Sequence, residues 1–110
     1  MPQPGDVVLV PFAGATGVKE RPAVVVSSDL YHSCRPDVIL GLLTSQLAEA
    51  TAPTDYVLRD WTDAGLNLPS AFRSNFITLH VGIVILQIGE LSARDWVEIH
   101  ARLRLALAVT

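Results

Sequence analysis

The sequence predicts a mainly β protein with helical additions: a small antiparallel β-barrel with a C-terminal amphipathic helix packed on it. Three observations predict it. Short β-branched runs separated by glycine, proline and small polar residues recur up to Gly89. Beyond that glycine the apolar residues change from a strand-like to a helix-like period. At 110 residues the chain can bury one core and is too short to divide into two, so it reads as a single domain.

Asp6 to Phe12 (DVVLVPF) and Pro22 to Ser28 (PAVVVSS) read as the two strands of a hairpin. The intervening AGATGVKE, residues 13–20, has two glycines and small side chains and reads as a flexible tip. A third apolar run, DVILGLLT at 37–44, follows the turn-like SCRPD, and DYVLR at 55–59 forms an alternating fourth. DWTDAGLNLPS, residues 60–70, is rich in turn formers, and Pro69 opposes a helix there. AFRSNFITLH at 71–80 reads as a fifth strand, and IVILQI at 83–88 as a short sixth strand or a turn packed on the core, with Gly89 as a break. Ser92 is a helix N-cap with Asp95 three residues on. Trp96, Ile99, Leu103 and Leu107 then make one apolar stripe, with Arg94, Glu98, Arg102 and Arg104 largely away from it, over about four turns.

Half of the residues are hydrophobic and 17% are charged, the balance of a globular chain. The formal net charge of −3 argues against a protein held to nucleic acid by a broad basic field. A small basic site within an acidic shell is still compatible with it. The single cysteine, Cys34, excludes an internal disulfide framework and suits a reducing compartment. MPQPGD lacks the basic-then-apolar pattern of a signal peptide, and runs such as HVGIVILQIG fall short of a membrane span. The expectation is a soluble cytoplasmic protein with no membrane partner.

The chain has no Walker-type glycine loop, no paired His/Cys zinc spacing and no Gly-x-Ser-x-Gly elbow. His32, His80 and His100 are far apart in sequence and suit surface or packing roles better than a metal site. Arg21 stands out within KERPAVVVSSD. Pro22 restricts the residue before it to extended geometry, so an always-charged planar fork is held at a strand entrance. Taken alone, it suits either a phosphate oxygen or closure of the barrel end against a carboxylate or carbonyl. Thr44, Ser45 and Gln46 end the third apolar run, where hydroxyls also satisfy strand-end backbone groups. The two signals reinforce each other, because in an antiparallel barrel the start of one strand lies beside the end of its neighbour.

GDVVLVPF, RPAVVVSSDLY, DVILGLLTSQ, RDWTDAGLNLPSAFR, FITL and IGELS before a helix resemble, in order and spacing, the MazF/PemK family of type II toxin-antitoxin toxins. The resemblance covers nearly the whole chain, from Gly5 to about Leu107. It implies an SH3-like β-barrel with helical additions, usually a homodimer, inhibited by a small cognate antitoxin. It also implies a sequence-specific, metal-independent endoribonuclease that cuts single-stranded RNA without a cofactor. The family's catalytic pair, the arginine of RPAVV and the threonine of TSQ, falls on Arg21 and Thr44. The resemblance further implies the family's chemistry, attack of a ribose 2′-hydroxyl on the adjacent phosphate to leave 2′,3′-cyclic phosphate and 5′-hydroxyl ends.

Substrate contacts are expected at Lys19, Glu20, Ser45, Gln46, Arg73 and His80. Arg73 falls where many relatives place a basic residue, and residues 13–20 would cover the substrate groove. The first loop lacks the histidine some members use, Ser74 and Asn75 follow Arg73, and His80 stands where relatives commonly read TLD, so the general base is left open. Leu86 and Gln87 replace positions that are typically basic. Two alternatives share the barrel: a gyrase-poisoning toxin of the CcdB type, and a catalytically silent barrel that only binds its antitoxin. The retained RPAVV and TSQ favour the enzyme.

Overall fold

The computed structural model describes residues 2–14, 17–84 and 86–109. Among these, six strands form one antiparallel sheet: β1 (Asp6–Gly14), β2 (Gly17–Val25), β3 (Asp37–Thr44), β4 (Tyr56–Val57), β5 (Ala71–His80) and β6 (Leu86–Glu90), in the order β4-β5-β3-β2-β1-β6. A short helix, α1 (Asp29–Cys34), joins β2 to β3, and α2 (Ala93–Ala106) follows β6. Single 3-10 turns lie at Leu47–Glu49 and Val81–Ile83. The sheet curls into a half-barrel, with breaks in register at Val7/Val8 in β1 and between Gly41 and Leu43 in β3. Such irregularities bend a strand and increase its local twist.

The unbroken valine runs of β1 and β2 have a simple cause. Successive strand side chains point to opposite faces, and both faces of this sheet are buried. Val7, Val24, Leu43 and Phe72 pack on one side with Leu58, Ala64, Leu66 and Ile99. Val8, Val10, Ala23, Val25, Val38, Leu40 and Leu42 form a second core on the other. Helix α2 contributes to the first core through Ile99, fully enclosed, with Trp96 and Leu103 packed against it. Enclosing one such side chain contributes about 1.5–3 kcal/mol.

Several elements differ from the sequence reading. The β1–β2 hairpin continues through the expected loop: Phe12 pairs with Lys19, Ala13 with Val18 and Gly14 with Gly17, leaving only residues 15 and 16 outside the described chain. Glycine and small residues suggested a loose tip, but the two arms satisfy each other's backbone. At its other end β2 stops at Val25, because Ser27 accepts the Ile39 N–H and Ser28 caps α1, a helix for which the sequence reading has no element between Ser28 and the turn-like SCRPD. The fourth strand shrinks to Tyr56–Val57. Gly89 lies inside β6 rather than ending it, paired with Val7. A Cβ there would sit 2.4 Å from the Ala64 carbonyl oxygen, and one on Gly65, whose φ is +82°, would sit 1.9 Å from that of Ile88. These two glycines let the 60–70 segment press directly on β6. Helix α2 stops at Ala106, so Leu107 caps it and is exposed instead of completing the apolar stripe.

Candidate active site

Strand β2 pairs with β3 through Ala23–Leu42, Val24–Gly41 and Val25–Leu40. Continued two residues outward, the same register sets Arg21 opposite Thr44. Pro22 lies between Arg21 and the last paired residue, where it adds no N–H to prolong the ladder. The burial of β2 changes at this point: its first five residues are exposed and its last three fully buried. Arg21 is therefore the last side chain before the strand enters the core.

Arg21 has neither an ion-pair nor a hydrogen-bond partner among the described residues. Its guanidinium lies 5.9 Å from the centroid of Phe12. Val10 faces Arg21 and Phe12 faces Lys19, so Phe12 is the diagonal cross-strand neighbour of Arg21, within reach of a long side chain. Thr44 is 8% exposed. Its Oγ1 accepts the Gln46 N–H at 3.1 Å, which orients the hydroxyl through a local turn. Its O–H hydrogen has no acceptor among the described residues.

Two grooves meet at this pair. The larger, about 460 Å³, is lined by Arg21, Thr44, Glu20, Ser45 and Gln46 together with Pro22, Leu43, Leu66, Asn67, Leu68 and Ile88, among others. The smaller, about 210 Å³, shares Arg21, Leu43, Thr44 and Gln46 and adds Phe12, Leu42, Glu49, Arg73 and Asn75. Arg21 and Thr44 thus stand on the ridge between them.

Of the residues the sequence singled out, the structure brings Glu20, Arg21, Thr44, Ser45, Gln46 and Arg73 to these grooves. The Arg73 guanidinium lies 3.5 Å from the Glu49 carboxylate, both side chains about half exposed. Lys19 is exposed on the hairpin and lines neither groove. His80 pairs with Asp37 at the other end of β3, whereas Thr44 pairs with Ala71. Seven residues of strand separate the two positions, roughly 23 Å at about 3.3 Å each. There His80 Nδ1 accepts the Gly82 N–H at 2.9 Å and caps a 3-10 turn. His32 is buried against Ser27, and His100 stacks edge-on against Trp96.

Phe12, Glu49, Asn67 and Asn75 were not assigned from the sequence. Phe12 reads as the end of a short β-branched strand, and Glu49 and Asn67 arrive on irregular segments with no motif. Ser74, between Arg73 and Asn75, has φ 53°, a region that non-glycine residues seldom enter. Its hydroxyl donates to the Thr54 carbonyl and holds it there.

The wall of the larger groove is anchored from behind. Asp60 receives two hydrogen bonds from Arg94, at 2.7 and 2.6 Å, and one from the Ser92 hydroxyl at 2.6 Å. The Arg94 guanidinium first, and then Ser92, lower its carboxyl pKa from an ordinary 3.8 to about 2. The same pair raises the Arg94 pKa. Among the described residues no group of three or more His, Cys, Asp or Glu could hold a metal ion, and no helix is long and apolar enough to cross a membrane.

The fold agrees with the family comparison. The chain belongs to the PemK-like, MazF-like toxins of type II toxin-antitoxin systems, whose family model matches residues 3–107. Among solved structures it is similar to an endoribonuclease in complex with its cognate antitoxin from a mycobacterial species, at 22% identity and a TM-score of 0.79, covering 100% of this chain and 98% of that one. It is also similar to MazE-MazF from Deinococcus radiodurans, at 21% identity and a TM-score of 0.76, covering 99% and 98%. A third is the Mycobacterium tuberculosis toxin MazF-mt6, at 20% identity and a TM-score of 0.72, covering 96% and 98%. No curated protein matches the chain.

Proposed function

We propose that this toxin is a sequence-specific, metal-independent endoribonuclease acting on single-stranded RNA, with Arg21 and Thr44 as its catalytic pair. The observation that carries the proposal is their opposition on the ridge between two grooves, each with hydrogen-bonding capacity not used internally. Attack of a ribose 2′-hydroxyl on the adjacent phosphate adds negative charge to the phosphoryl oxygens. A guanidinium carried on backbone that Pro22 keeps extended, and a hydroxyl oriented by the Gln46 N–H, stabilise that charge. As the 2′ oxygen bonds to phosphorus the P–O5′ bond breaks, the 2′-hydroxyl proton passes to a base and the departing 5′ oxygen takes up a proton; Arg21 supports the transition state, Thr44 donates to a non-bridging oxygen, and the products are 2′,3′-cyclic phosphate and 5′-hydroxyl ends. Arg73, with Gln46, Asn75 and Lys19, supplies further contacts to the RNA backbone.

The family membership and the antitoxin-bound relatives support a cognate antitoxin as protein partner. A two-fold homodimer in the cytoplasm is the assembly in which we place it; a strictly monomeric species in sedimentation would overturn that assembly.

The test is incubation of the purified protein with a long single-stranded RNA in excess EDTA, followed by mapping of new 5′ ends. Discrete cuts are expected, with Arg21→Ala slower by roughly 10²–10³. Intact RNA, or cleavage retained by Arg21→Ala, would sink the assignment.

A further inference from the structure

The two grooves beside Arg21 and Thr44 differ in chemistry. The smaller one holds two guanidinium groups, Arg21 and Arg73, with the one carboxylate among its described lining residues, Glu49, paired to Arg73. The larger is walled by Leu9, Pro22, Leu43, Leu66, Leu68 and Ile88, and among its described lining residues Arg21 is the single cation. Aliphatic walls do nothing for a phosphate. They suit a nucleobase, whose faces are apolar and whose edge carries the polar groups. An RNA strand crossing the ridge therefore meets a groove suited to backbone on one side and a groove suited to a base on the other.

Glu20 is the acidic residue of that larger groove. Its place in β2, one residue from Arg21, turns it to the same face as Pro22 and Val24. It is exposed and has neither an ion-pair nor a hydrogen-bond partner among the described residues. A carboxylate repels the phosphates of an RNA ligand, so what it favours there is a group with hydrogens to donate. An ionised carboxylate is an acceptor only, with two oxygens that can be engaged side by side.

Among the four RNA bases, guanine alone presents two adjacent donors on one edge, N1–H and the 2-amino group. Uracil offers one N–H flanked by two carbonyls, which a carboxylate repels. Adenine and cytosine each place their amino group beside a ring acceptor. Asn67 and Gln46 line the same groove and carry amide N–H groups of the kind that guanine O6 accepts.

We propose that the larger groove seats the nucleobase next to the scissile phosphate and that Glu20 makes the enzyme select guanine there. The inference rests on the endoribonuclease reading above and adds the base that the site selects. A charge-assisted bidentate contact of this type discriminates against the wrong base by roughly 5- to 150-fold.

The experiment is cleavage of an RNA pool with randomised sequence, in excess EDTA, by the wild-type protein and by Glu20→Gln, with every new end mapped. Guanine should be enriched over adenine at one position adjoining the cut for the wild type, and the ratio should fall toward one for the variant. Replacing that guanosine with inosine, which keeps N1–H and lacks the 2-amino group, should slow the wild-type protein several-fold and needs no mutant. Wild-type cuts without guanine at either neighbouring position would overturn the guanine assignment, as would a Glu20→Gln protein that keeps the wild-type ratio or indifference to inosine. Each of these leaves the endoribonuclease reading standing. Absence of any wild-type cleavage would overturn both.

Discussion

The Tyr56 hydroxyl donates a 2.6 Å hydrogen bond to Oδ1 of Asp95, a carboxylate with no exposed surface on α2. The same oxygen accepts the Arg59 N–H at 3.1 Å, and Oδ2 accepts the Asp60 N–H at 2.9 Å. Burial first, and then the bond to Asp95, push the Tyr56 pKa well above its ordinary value, so the phenol stays a donor. One helix residue thereby fixes the start of the segment whose Leu66, Asn67 and Leu68 wall the larger groove.

Asp95→Ala should accordingly destabilise the fold by about 3 kcal/mol or more, because it strands a buried hydroxyl and two N–H groups at about 1–3 kcal/mol each. Tyr56→Phe should cost about 1.5–3 kcal/mol, the range for a hydrogen bond to a charged group. In urea titrations the double variant should be less destabilised than the two single effects added, since both remove the same bond. Full additivity would argue against the coupling.

The Asp60–Arg94 pair sets an acid limit. Asp60 has its folded-state pKa lowered, so its contribution is fully present above its ordinary 3.8 and is lost as pH falls toward about 2. The stability difference between wild type and Asp60→Asn should thus shrink across that interval and stay constant from pH 5 to 7. Thermal melts at half-unit pH steps check it, and a difference that instead grows with acid would be the wrong sign.

Thr44→Ser should keep most of the cleavage rate, whereas Thr44→Val, matched in shape but lacking the hydroxyl, should lose roughly 10². Single-turnover kinetics on one RNA would distinguish them. A rate lost in Thr44→Ser but kept in Thr44→Val would indicate that the methyl group, rather than the hydroxyl, matters.

Glu49 restrains Arg73 through an exposed ion pair worth about 1 kcal/mol or less. Glu49→Gln should release the guanidinium to a phosphate, tighten RNA binding several-fold at low salt and steepen the plot of log affinity against log salt by about 0.7. Arg73→Ala added to Glu49→Gln should flatten that plot by a similar amount. Anisotropy titrations over a salt series give both slopes, and an unchanged slope in the two variants would remove Arg73 from the backbone contacts.

How much of this was legible depended on whether the signal was local. β3 and β5 have the bounds their apolar runs imply, and α2 begins at the cap that Ser92 announces. Helix α1 was not read because six residues are too few to establish a helical period; its single cue was Ser28, which reads equally as the end of a strand. The arms of the first hairpin were read short because Gly14 and Gly17 mark a turn without saying how far pairing continues on either side. At the site, Arg21 was conspicuous through Pro22, and Thr44 through the abrupt end of an apolar run. Glu49 and Asn67 gave no cue, since only the folded paths of the segments that bear them bring them to Arg21 and Thr44. His80 looked chemical in sequence and is held by the backbone of its own turn.

The alignment of β2 on β3 also makes the fold its own inspector. A slip of one residue would face Arg21 with Leu43 or Ser45 and turn a whole strand's side chains to the other face, exchanging members between two cores that are each already filled. A misaligned chain would have neither sound core nor an opposed arginine and threonine. In a chain of a toxin family, the Arg21–Thr44 ridge is then present only in copies whose β2 and β3 have paired in register.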